Sequence, residues 1–72
     1  MLISWEDGAC IRFRTEHGAV ISANRAGLLS LAAQLAALAQ EPAGSHIHYD
    51  EDNSLEPGSA ELIIEHAALP ED

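Results

Sequence analysis

Residues 24–40, NRAGLLSLAAQLAALAQ, decide how the rest of this chain must fold. At ~100° per residue, Leu28, Leu31, Leu35 and Leu38 fall on one side, flanked by Leu29, Ala32, Ala36 and Ala39. The resulting apolar arc covers roughly half the circumference, wide enough to bury one side of a helix against a sheet. Asn24 supplies the start, because its side-chain oxygen can accept from the free N–H groups of the first turn. Gln40-Glu41-Pro42 supplies the stop, since proline disfavours α geometry in the residue before it and has no N–H to donate. The opposite side, with Ser30, Ala33, Gln34 and Ala37, is small or neutral, and no charge falls between Arg25 and Glu41. An exposed helix face normally carries charges. Two readings of that back stay open: a second contact surface (a dimer seam or docking face), or alanine's helix propensity with no partner at all.

No other segment reads as a helix, so the flanking residues are expected to form strands that cover this one. Residues 2–6 alternate weakly around Trp5 and give a first strand, with Asp7-Gly8 as a hairpin turn. Residues 10–16 alternate cleanly: Ile11, Phe13 and Thr15 point toward the helix, Cys10, Arg12 and Arg14 away. His17-Gly18 is a second turn, and residues 19–23 a third strand that runs directly into the helix. Past the loop at 41–45, residues 46–50 alternate again, with Ile47 and Tyr49 on one face and His46, His48 and Asp50 on the other. An acidic, turn-rich stretch fills 50–58, and residues 60–66 make the last strand, Leu62 and Ile64 inward, Glu61, Ile63 and Glu65 outward. Residues 67–72 read as a frayed tail. The expected fold is α+β: an antiparallel sheet of five strands in the order βββαββ, with the helix on one face. Its open face would collect Arg12, Arg14, His46, His48, Asp50, Glu61 and Glu65, with the two arginines balancing neighbouring carboxylates across the sheet.

Seventy-two residues make one domain, 1–72, too short for a second core and marginally stable by itself. Cys10 is the sole cysteine, which rules out an internal disulfide and fits a reducing cytoplasm. The N-terminus has no basic region before a hydrophobic stretch, and no apolar run approaches the ~20 residues of a membrane span. A cytoplasmic protein is expected. Twelve acidic residues against three arginines and no lysine give a net charge of −9. That balance argues against nucleic acid and anionic membranes as partners, both of which call for Lys and Arg. It favours a basic partner, or simply solubility.

His46-x-His48-x-Asp50 is the one cluster with catalytic or metal potential, and it is similar to the HxHxD run of metallo-β-lactamase-type hydrolases. Two histidines two apart on a strand can chelate zinc, but a catalytic site needs further ligands from other segments inside a shaped cavity. His17 and His66 sit at a turn and near the tail, and 72 residues cannot build the sandwich that such hydrolases use. No nucleophile elbow or glycine-rich phosphate loop occurs, and Cys10 has no evident His–acid pair. The expectation is therefore a non-enzyme with no catalytic residue, no metal and no cofactor. A small metal-dependent hydrolase and a dimeric scaffold remain as alternatives.

From the helix onward the chain resembles immunity protein family thirty-two, small immunity proteins encoded beside bacterial polymorphic toxins. The likeness lies in Gly27-Leu28-Leu29-Ser30-Leu31-Ala32 and Gly44-Ser45-His46-Ile47-His48-Tyr49-Asp50. It continues through Leu55-Glu56-Pro57-Gly58-Ser59-Ala60-Glu61-Leu62-Ile63-Ile64. The resemblance implies a protein that binds a cognate toxin domain and blocks it. It transfers no contact residues. Charge and exposure instead nominate Asp50, Glu51, Asp52, Glu56, Glu61 and Glu65, with His46 and His48, as the partner-binding surface, and a homodimer is a further expectation.

Overall fold

Helix α1 (Arg25–Ala39) begins and ends at the residues its caps dictate. The structure, a computed structural model, describes residues 3–69. Asn24 is extended, and its Oδ1 accepts from the N–H groups of Gly27 at 2.8 Å and Cys10 at 3.0 Å. Its Nδ2 donates to the Gly8 carbonyl at 2.7 Å, so one side chain caps the helix and ties it to the chain entering the first strand. Asn24→Ala is expected to cost about 2 kcal/mol, the upper end of N-cap losses. Asn24→Asp, which keeps the acceptor and loses only the Gly8 bond, should cost less than half of that in urea denaturation. Equal losses would show that the Gly8 contact, not the cap, dominates.

Among the described residues there are four strands rather than five: β1 (Ile11–Arg14), β2 (Val20–Ala23), β3 (His46–Tyr49) and β4 (Leu62–Glu65). They form two separate two-stranded antiparallel sheets, β1 with β2 and β3 with β4. The class is α+β as expected, but the single five-stranded sheet is not formed. Between the pairs, the chain at 56–60 runs beside β1 as irregular backbone: Glu56 N–H donates to the Ile11 carbonyl and Ala60 N–H to the Phe13 carbonyl, each at 2.8 Å. Pro57 and Gly58 lie in that stretch, with Gly58 at positive φ, which interrupts a regular ladder there.

The expected first strand is absent over 3–6, Leu2 lying outside the described residues. These residues instead strap the helix. Glu6 N–H donates to Ser30 Oγ and Gln34 Nε2 donates to the Ser4 carbonyl, both at 2.8 Å. Side chains of the helix thus satisfy backbone groups that a neighbouring strand would otherwise have to pair. Asp7-Gly8 is a turn, as its Gly8 φ of 79° requires, but it joins strap to β1 and not strand to strand.

The strap also rotates the helix away from its expected orientation. Its buried residues are Gly27, Ser30, Leu31, Gln34 and Leu38, so two polar residues assigned to the back face inward. Both are satisfied: Ser30 Oγ also donates to the Ala26 carbonyl, and Gln34 Oε1 accepts from the Tyr49 hydroxyl at 2.7 Å. Leu31 and Leu38 are buried as the apolar arc predicts, while Leu28 and Leu35 are not. Inward alternation holds for Ile11, Phe13, Ile47 and Tyr49, but Thr15 lies beyond β1 and is exposed. These residues form one core cluster with Leu31, Leu38 and Leu55, and Trp5, Leu62 and Ile64 pack against it. Among the described residues, no helix is long and apolar enough to cross a membrane.

Candidate protein-binding site

Strand pairing sets the geometry of the outer face. In the β3–β4 register His46 lies opposite Glu65 and His48 opposite Ile63. Because Ile47 and Tyr49 are buried inward, both histidines point outward, and their rings lie 5.3 Å apart. Glu61, just before β4, brings Oε2 within 3.5 Å of His48 Nδ1. His46, His48, Glu61 and Glu65 therefore form one exposed polar face, with Ile63 as its apolar centre. An open groove lined by Ile3, Gly44, Ser45, His46, His48 and Asn53 borders it.

The acidic turn after β3 is built as tightly as a strand. Asp50 accepts the N–H groups of Asp52 at 2.9 Å and Asn53 at 3.1 Å on its carboxylate, and that of Leu55 on its carbonyl at 2.8 Å. Asn53 reaches back to donate from Nδ2 to the His48 carbonyl at 3.0 Å. Buried Leu55 anchors the far side. Asp50, half-buried, is thus a turn-forming residue more than a presented charge. Glu51 is exposed but engaged, accepting from Gly58 N–H, while Glu56 is half-buried beside β1. Asp52, Glu61 and Glu65 project into solvent.

Of the eight residues nominated from sequence, six are exposed, of which His46, His48, Glu61 and Glu65 share the β3–β4 face, while Asp50 and Glu56 are half-buried. The two-histidine run does not gather a third ligand: among the described residues no three His, Cys, Asp or Glu side chains converge closely enough to hold a metal ion. Arg12 and Arg14 also depart from expectation. They are exposed opposite Ser22 and Val20, and neither makes an ion pair among the described residues.

Sequence reasoning missed the apolar outer side of α1, where Leu28, Leu29 and Leu35 are exposed. The signal was present: a helix without a charge from Ala26 to Ala39 has one apolar side too many, and Ser30 and Gln34 sit one turn apart facing the same way.

A match to a family model, immunity protein 32, spans residues 19–67, from the start of β2 through the last strand. No match is found among curated proteins or among solved structures. The matched span contains the helix, the acidic turn and both strands of the histidine–carboxylate face, and on it the chain belongs to the immunity protein 32 family.

Proposed function

We propose that the protein neutralises a cognate bacterial toxin domain by binding it, without catalysis, and that the acidic outer face makes the contact. The observation that carries the first part is the family match over 19–67. The second part is supported by charge and presentation. At −9, the chain attracts basic surfaces; Glu61 and Glu65 with His46 and His48 are exposed on one face of the β3–β4 unit, and Glu51 and Asp52 are exposed in the turn that follows β3. A toxin that handles phosphates, such as a nuclease, carries the complementary basic surface. Ile63 offers an apolar centre within the charged rim, the usual anatomy of a protein interface.

Electrostatic steering of this kind acts on the rate of encounter, raising it from ~10⁵–10⁶ to ~10⁸ M⁻¹s⁻¹ at low salt. The test uses the toxin domain encoded by the neighbouring gene and the triple variant Asp52→Asn, Glu61→Gln, Glu65→Gln, which leaves the Asp50 turn intact. Association should slow by about tenfold or more at low salt, and its salt dependence should flatten. Dissociation should change less. If the triple variant associates as fast as the parent across salt concentrations, the acidic face is not the docking surface. If the parent neither binds that toxin nor protects cells expressing it, the immunity reading fails for this partner.

A further inference from the structure

The outer side of α1 leaves Leu28 53 %, Leu29 47 % and Leu35 39 % exposed. Scattered surface leucines are ordinary, but these three share one helix side with Ala32, Ala36 and Ala39, so the apolar surface is continuous. We propose that this side seats a second copy of the chain, as an antiparallel helix pair about a two-fold axis at Ala32.

Spacing is the first support. Arg25, Leu28, Ala32, Leu35 and Ala39 step by three, four, three and four residues, the seam of two helices packed side by side. Turning a copy about Ala32 sets Leu28 against Ala36 of the other helix and Leu29 against Leu35. Every large side chain then meets a partner, the alanines leave room for close approach, and each contact occurs twice, as an isologous interface requires.

Charge is the second support, and it points to a copy of this chain in particular. Arg25 opens the helix, where the positive end of the macrodipole disfavours a cation, and it has no ion-pair partner among the described residues. The last turn, where a cation would be favoured, holds no basic residue, and the first turn holds no acid. An antiparallel copy corrects this. Arg25 of each chain lies against the carbonyl end of the other helix, at Ala39. Size and charge are thus both self-complementary about the same point. The pairing also leaves the acidic face free, since α1 packs on the inner side of the strands and the carboxylates lie on the outer.

A helix of 15 residues is ~22 Å long, so the seam buries less than the ~800 Å² per partner of a standard interface. Two chains at −9 also repel. The dimer should therefore be weak, with a dissociation constant in the micromolar range, and should tighten as salt screens the repulsion. Sedimentation velocity over a concentration series at low and high salt reads this directly. Leu28→Glu with Leu35→Glu should stay monomeric throughout, with unchanged circular dichroism, because both positions are exposed. Arg25→Glu should weaken association by about tenfold while raising the melting temperature of the dilute monomer, opposite signs that a purely structural role would not give. In a Cys10→Ser background, Ala32→Cys should crosslink to its own copy with a short thiol crosslinker, and Ala37→Cys should not. A chain that is monomeric at every concentration and salt overturns the proposal, as does a dimer that survives the double glutamate variant or crosslinks preferentially through position 37. Loss of toxin capture by Leu28→Glu in a monomeric parent would assign this side to the toxin instead, and would equally overturn it.

Discussion

Replacing Tyr49 with alanine is expected to cost about 3–5 kcal/mol, the range for deleting a buried aromatic side chain. For 72 residues at ~0.05–0.15 kcal/mol per residue, total stability is roughly 4–11 kcal/mol, so this single change should remove a large share of it. The size of the effect comes from position. Tyr49 is 1 % exposed and meets Trp5 edge to face, with centroids 6.0 Å apart. Its hydroxyl donates to Gln34 Oε1, and Gln34 in turn donates to Ser4, so one ring links β3, the helix and the strap. Tyr49→Phe isolates the polar part: it keeps the ring and strands the buried Gln34 acceptor, at a cost of about 1–3 kcal/mol. Burial also raises the Tyr49 pKa above 10 by disfavouring the phenolate. The unfolded chain then loses this proton at lower pH than the folded chain does. Stability from the buried neutral phenol is complete below about pH 10 and declines as the pH rises toward the folded-state pKa. Tyr49 is the only tyrosine, so phenolate absorbance follows its titration without ambiguity. Titration at an ordinary tyrosine pKa, or a Tyr49→Ala loss below 1 kcal/mol, would place this ring outside the core.

What the sequence revealed of the fold is what local chemistry controls. Asn24 and Pro42 bracket α1 because caps and proline act within a turn of their own position. Alternation located Ile11, Phe13, Ile47 and Tyr49 on the buried side because a strand has only two faces. The rotation of α1 was not legible in this way. A helix apolar nearly all round has no unique inner face by hydrophobicity, and the choice fell to two hydrogen-bonding side chains, Ser30 and Gln34, whose partners Glu6 and Ser4 are far away in sequence. The same long-range bonds explain why residues 3–6 form a strap. Weak alternation around Trp5 allows either form, and only the position of the helix decides between them. Of the candidate site, the outward histidines and Glu61 and Glu65 followed from alternation, whereas the turn-forming role of Asp50 depends on hydrogen bonds that alternation does not describe.

Gly27→Ala is expected to destabilise the protein by about 1–3 kcal/mol net, against the sign that helix propensity alone predicts. In an unobstructed helix interior, alanine gains about 1 kcal/mol over glycine. Here the added Cβ would lie 2.6 Å from the Cys10 carbonyl oxygen and 2.9 Å from Ile11 Cγ1. Neither neighbour can yield cheaply. The Cys10 carbonyl already accepts from Asn24 N–H at 3.1 Å, continuing the β1–β2 pairing, and Ile11 is 1 % exposed at the centre of the core. Asn24 Oδ1, the helix cap, would be 3.1 Å from the new carbon, so relief by tilting the helix weakens the cap as well. Glycine at this position lets α1 approach the β1 backbone without a side chain between them. Urea denaturation of Gly27→Ala beside Ala37→Gly provides the contrast. The second variant sits on an exposed part of the same helix and should lose only the ~1 kcal/mol of propensity. A stabilised Gly27→Ala protein would show that the helix is free to move away from β1. The two classes of variant should also separate in function. Gly27→Ala acts on the folded fraction, so it should lower the amount of toxin captured and leave the association rate of the remaining folded protein unchanged. The Asp52, Glu61 and Glu65 amide variant should do the reverse.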